Sequence, residues 1–145
     1  MRSDEPDVLA RSVQKAREWI DETADELGID NRRTALRSLR AVLHALRDHI
    51  GVNESAHLAA QLPELIRGIY YEEWVPARVP ESQRDRGEFL RRIVRDARLS
   101  GETEASFAVS AVIAVLSRHV SPGELDDVAK SLPTQLRELV GSPAR

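Results

Sequence analysis

The residues best suited to chemistry in this chain are two histidines and two glutamates. His49 and His119 each stand five residues before a carboxylate, Glu54 and Glu124 respectively. Imidazole and carboxylate are metal ligands, but a metal site needs several of them converging on one point. A histidine in the last turn of a helix can instead bond free carbonyls and suits the negative end of the helix dipole. A glutamate three residues into the next helix then completes a cap. That structural role is the expected one, so no metal and no cofactor are predicted. His57 reads as plain surface. Serines such as Ser38, Ser110 and Ser117 lack the strained elbow or paired histidine that would make them nucleophiles. The remaining carboxylates fall on polar faces, where solvation keeps them ordinary. No catalytic residue is predicted.

Two groups point to binding instead. Three of the six aromatic residues, Tyr70, Tyr71 and Trp74, lie within five positions, followed by Pro76. Tyrosine and tryptophan offer large contact area at low entropic cost, so this cluster is a candidate partner-binding patch. The simpler account is that the aromatics pin a connecting segment onto the core. Arg33, Arg37, Arg40, His44 and Arg47 follow at helical spacing. Such a stripe can track phosphates with strong salt dependence, which makes Arg33, Arg37, Arg40 and Arg47 candidate polyanion contacts. More often it is a solvated face answering nearby acids, here Glu18, Asp21, Glu22, Asp25 and Glu26. No groove-reading motif accompanies it.

The elements that carry these residues follow from an internal repeat. Ala41–Ile69 and Ala111–Leu139 align without a gap at an offset of 70, with nine of 29 positions identical. Chance in so Ala-, Leu- and Arg-rich a chain would give roughly two or three. The same offset pairs Trp19 with Phe89. The sequence therefore predicts an all-α helical bundle made of two tandem, pseudo-symmetric repeats of three to four helices each. The first repeat covers 1–74, a linker 75–84, the second repeat 85–140 and a tail 141–145.

Local signals set the helix ends. Val8, Leu9, Val13, Ala16, Trp19, Ile20, Ala24 and Leu27 recur at three and four, one face of a helix. Gly28 supplies a left-handed stop, with Ile29 as the apolar residue after it. Asp30 or Asn31 caps the next helix, whose stripe is Leu36, Leu39, Leu43, Leu46 and Ile50. A third helix covers about Val52 to Leu62, and Pro63 opens a fourth. Asp85 with Glu88, and Ser121 with Glu124, look like capping boxes. Valine-rich 107–116 would suit a strand by itself, and its match to 36–50 makes it helix.

The repeat also exposes a difference. The positions matching the arginine stripe are Thr103, Phe107, Ser110, Ala114 and Ser117, so a charged face has become small and apolar. An apolar face on a globular protein is covered by something. The favoured expectation is burial inside the monomer, and the alternative is self-association.

Composition narrows the classes. With 145 residues, 41% hydrophobic and 31% charged, the chain resembles an ordinary globular protein. It has no cysteine, which excludes disulfides and thiolate chemistry and fits a reducing compartment. A net charge of −3 gives no global attraction to nucleic acid or acidic membranes. The start, Met1 to Asp7, does not read as a signal peptide, and no apolar run is long enough for a bilayer. A cytoplasmic protein without membrane contact is expected.

The run from Leu58 to Trp74, Leu-Ala-Ala-Gln-Leu-Pro-Glu-Leu-Ile-Arg-Gly-Ile-Tyr-Tyr-Glu-Glu-Trp, resembles the domain-of-unknown-function family 2267. So do Asp85 to Leu90 and His119-Val-Ser-Pro-Gly-Glu124. The resemblance covers about Asp30 to Val140, with Gly-Ile-Tyr-Tyr-Glu-x-Trp its most specific part. The family has glycine after Tyr-Tyr-Glu, where Glu73 stands here. It implies a small bacterial helical protein and assigns no catalytic residues.

The expected function is a non-catalytic module that binds a protein partner or itself. The alternative is a polyanion or nucleic-acid binder using the arginine stripe. Behind both stands a small-ligand carrier or enzyme with a pocket between the repeats.

Overall fold

A computed structural model describes residues 4–80 and 85–140. The end of the expected linker, 81–84, the expected tail, 141–145, and residues 1–3 lie outside the described residues. The chain is all-helical, with no strand among the described residues. Its helices are α1 (Asp7–Leu27), α2 (Arg32–His49), α3 (Val52–Ala60), α4 (Glu64–Tyr71), α5 (Arg86–Ala97), α6 (Glu102–His119), α7 (Pro122–Ser131) and α8 (Thr134–Val140). A 3-10 turn, Pro76–Arg78, follows α4. No single helix among the described residues is long and apolar enough to cross a membrane.

The ends form as the local chemistry demands. Gly28 closes α1 at φ 72°, and the Ile29 amide donates to the Ala24 carbonyl, so two end-of-helix carbonyls find donors. Asn31, rather than Asp30, caps α2 by accepting from the Arg33 and Thr34 amides. The Asp85 carboxylate accepts from the Glu88 amide and starts α5. Pro63 precedes α4 as its cap residue, one position earlier than the first helical residue.

The four long helices form the body. α1 packs on α2 and α6, and α5 packs on α2 and α6, while α2 and α6 also touch each other. Trp19 and Phe89 are buried in this body, as are Leu39, Leu43, Leu46, Val109, Val112, Ile113 and Leu116. Burying each such side chain contributes about 1.5 to 3 kcal/mol before the ordering entropy is subtracted. The short helices cover the ends. α4 lies on α1 and α2, α8 lies on α5 and α6, and α3 meets α7.

Candidate functional site

The arginine stripe of α2 is largely used up inside the protein. Arg37 Nε donates to the Ala97 carbonyl at the end of α5 (3.1 Å), and Arg40 Nε pairs with Glu72 (2.9 Å). Arg47 is only 2% exposed, and its guanidinium bonds Asp48 and the carbonyls of Tyr70 and Glu72. Arg47 is therefore no phosphate contact, because a neighbouring segment has taken its donors. Only Arg33 of the four stands fully exposed. Four of the five acids expected to answer the stripe are engaged elsewhere, Glu18 with Lys15 among them. Asp21 holds Arg32, while Glu22 and Glu26 hold Arg118 of α6.

The aromatic cluster resolves in a similar way. Tyr70 is buried, and its hydroxyl donates to the Ser55 carbonyl at 3.0 Å. Tyr71 and Trp74 are half-buried, with ring centroids 5.1 Å apart, and Tyr71 also meets Tyr70 edge-on at 5.4 Å. Tyr70 is thus a core anchor and no exposed contact, while Pro76 is exposed at the start of the 3-10 turn. Glu73 adopts φ 60°. That left-handed conformation costs a residue with a Cβ roughly 1 kcal/mol or more. Glu73→Gly is expected to raise the thermal midpoint by about 2 °C after glycine's greater chain freedom is subtracted. Calorimetry checks it, and a lower midpoint would mean that the Glu73 side chain itself holds the segment.

Between α2, α5 and this segment lies a cleft of about 560 Å³ lined by His44, Arg47, Asp48, Glu73, Arg78, Glu88, Arg91, Arg92, Arg95 and Asp96. Its charges are mostly neutralised from within. Asp48 is gripped by Arg47 and by Arg92 (2.6 Å), Asp96 by Arg92 and Arg95, and Arg91 reaches Asp85 and Glu102. Burial alone would push the Asp48 carboxyl up, but these two guanidinium groups outweigh it and hold it below the usual carboxylate range. Burial also pushes His44 down despite its contact with the Ile69 carbonyl (2.7 Å). Of the cleft's arginines, Arg78 alone has no acidic partner among the described residues. Such a lining holds the two halves of the body together more than it invites a ligand.

The histidines and glutamates diverge from their expected roles. His49 Nδ1 contacts the Ala45 carbonyl at 2.8 Å, the end-of-helix bond anticipated for it. His119 instead stacks on Trp19 (centroids 4.7 Å) and reaches Glu22 at 3.0 Å. Neither glutamate completes a cap. The Ser121 hydroxyl accepts from the Glu124 amide, but the Ser121 amide is taken by Gln61 Oε1 (2.8 Å), so the Glu124 carboxylate is free to turn inward. Glu54 and Glu124 come together where α3 meets α7, with Asp127 beside them. Burial, and then the Glu54 carboxyl, push Glu124 up to about 8. Sequence reasoning assigned these two residues to separate halves and missed their convergence. The signal available was their identity at the 70-residue offset.

The small, apolar stripe on α6 is not buried in the monomer. Thr103, Phe107, Ser110 and Ser117 are exposed and Ala114 is half-buried, although Ala105, Ala108, Val109, Val112, Ile113 and Leu116 of the same helix are core. Phe107 is 63% exposed, whereas every other aromatic residue is buried or half-buried. The inner faces of α6 already contact α1, α2, α5 and α8, which leaves this one outward.

Residues 16–139 match the family described as Uncharacterized conserved protein (DUF2267). The chain belongs to that family. The match spans α2 to α7 with most of α1 and α8, so the DUF2267 domain includes both faces of the central cleft. No curated protein matches the chain.

Proposed function

We propose that this DUF2267 protein is a non-catalytic module that associates with a second copy of itself through the outer face of α6. The observation that carries the reading is Phe107, a large apolar side chain 63% exposed in a row of small residues. The face is self-complementary. In an antiparallel pair related by a two-fold axis near Ser110, Phe107 of each copy falls against Ala114 and Ser110 of the other. Small side chains there let the helices approach closely and give the ring a hollow to fill. The same register sets Thr103 and Glu104 opposite Ser117 and Arg118, although Arg118 is already paired with Glu22 and Glu26 of its own chain. The helix dipoles are then also aligned favourably.

Light scattering coupled to size exclusion tests this. The wild type is expected as a dimer and Phe107→Arg as a monomer of the same helicity, whose melting midpoint matches that of wild type diluted until it dissociates, since an exposed residue contributes little to the monomer fold. A wild-type monomer at every accessible concentration, or a dimer that survives Phe107→Arg, overturns the reading.

The module is read as a duplicated unit, 1–74 and 85–140. Helix contacts support this: α1 meets α2 as α5 meets α6, and α4 covers α1 and α2 as α8 covers α5 and α6. Gly28 and Arg98, 70 apart, are both left-handed helix stops. Arg67 and Arg137 each donate to carbonyls at the end of the preceding helix. A cytoplasmic setting fits a chain without cysteine.

A further inference from the structure

The contact between α3 and α7 is formed partly by acids, which is an expensive way to join two helices. Glu54 and Glu124 are the third residues of their helices, and Asp127 follows Glu124 by three, on the same side of α7. One carboxylate oxygen from each of Glu54, Glu124 and Asp127 lies within 4.8 Å of the other two, the one such group among the described residues. Glu124 is only 7% exposed, and its Oε2 is sealed from solvent with no hydrogen-bond donor. Glu54 Oε2 is sealed and without a donor in the same way. A buried carboxylate oxygen lacking a donor is strongly unfavourable, and two facing one another add like-charge repulsion. The cost has no structural return, since a leucine pair would join α3 and α7 better.

We propose that Glu54, Glu124 and Asp127 form a binding site for a hard divalent cation that bridges α3 and α7. A cation equidistant from three oxygens no more than 4.8 Å apart would lie no more than about 2.8 Å from each, so at most a small closure brings them to the roughly 2.3–2.6 Å of a calcium–oxygen bond. Donors that are all carboxylate oxygen select calcium, manganese or magnesium over softer metals. Asp127 is exposed, so water enters on that side to complete the coordination shell. His57 Nδ1, 3.9 Å from Glu54 Oε1, lies on the rim and is exposed. The cation replaces repulsion by attraction at a contact between the two halves of the chain. Its role is structural, and it is independent of the α6 face.

The test uses the full chain stripped with chelator and titrated with calcium, manganese and magnesium chlorides by calorimetry and thermal melting. The wild type is expected to bind one equivalent of at least one of these cations saturably. At a hundredfold excess over the dissociation constant its midpoint should rise by about 5 °C or more. Glu124→Gln, which keeps the shape and removes the repulsion, should fold at least as stably as the stripped wild type and lose at least tenfold in affinity. Glu54→Gln/Glu124→Gln should show no saturable heat. A wild type without saturable binding of any of the three cations means that the two glutamates merely share a proton, and it overturns the proposal. An unchanged cation response in the double variant overturns it too, by assigning the response to surface acids.

Discussion

Arg47→Ala should destabilise the protein by about 3 to 5 kcal/mol, the cost of removing one partner from a buried ion pair. The Arg47 side chain donates four hydrogen bonds. Nη1 reaches the carbonyls of Tyr70 (2.7 Å) and Glu72 (2.6 Å), and Nε and Nη2 clasp the two oxygens of Asp48 at 2.8 and 3.0 Å. Alanine strands two carbonyls at the end of α4 and leaves Asp48, inside the cleft, with Arg92 as its one cation. Each stranded group carries its own desolvation cost of about 1 to 3 kcal/mol. For a chain of this length the thermal midpoint should fall by about 10 °C or more. Arg47→Lys keeps the charge but cannot reproduce a planar fork gripping a carboxylate and two carbonyls, so it should recover less than half of the loss. Urea midpoints for the three proteins measure this directly. A near-wild-type midpoint for Arg47→Ala would show that the network contributes little and would free Arg47 for the phosphate role its spacing suggested.

Tyr70→Ala should cost about 3 to 5 kcal/mol, and Tyr70→Phe only about 1 to 2. The ring is buried where α4 lies on α1 and α2, and its loss leaves a cavity that three surrounding helices cannot close. Phenylalanine fills the same space and loses one bond, the hydroxyl's donation to the Ser55 carbonyl. That bond matters because Ser55 in turn donates to the Arg47 carbonyl at 2.6 Å, which links α3 and α4 to the end of α2. Burial pushes the Tyr70 hydroxyl well above its ordinary range. Limited trypsin digestion supplies a second readout. With the anchor gone, cleavage after exposed Arg78 should accelerate for Tyr70→Ala and change little for Tyr70→Phe. Equal midpoints for Tyr70→Ala and the wild type would mean that the aromatic cluster is no anchor.

The two predictions share a cause that no local pattern discloses. Residue type and spacing mark Arg47 as a candidate polyanion contact and Tyr70 as a partner surface or, more simply, a core anchor, and each turns out to be the partner of the other's neighbourhood. Helical spacing places Arg37, Arg40, His44 and Arg47 on one side of α2. It does not say whether that side meets water or the carbonyl ends of α4 and α5. Phe107 is the converse. A small, apolar stripe suggests burial, yet the remaining faces of α6 are more apolar still and claim the interior first.

What the sequence determined by itself is what depends on neighbours a few residues away. Apolar spacing made the helices, and Gly28, Asn31 and Asp85 ended or began them, because capping needs only the adjacent backbone groups. Membership of the DUF2267 family was likewise legible in the stretch from Leu58 to Trp74. The tertiary structure alone decided which polar groups meet. Glu54 and Glu124, 70 residues apart, face one another because α3 packs on α7, and Arg47 is buried because the chain after α4 returns across α2. Those contacts depend on how whole helices are arranged in space. Their chemistry follows from low dielectric and lost solvation, which exist only once the helices have packed.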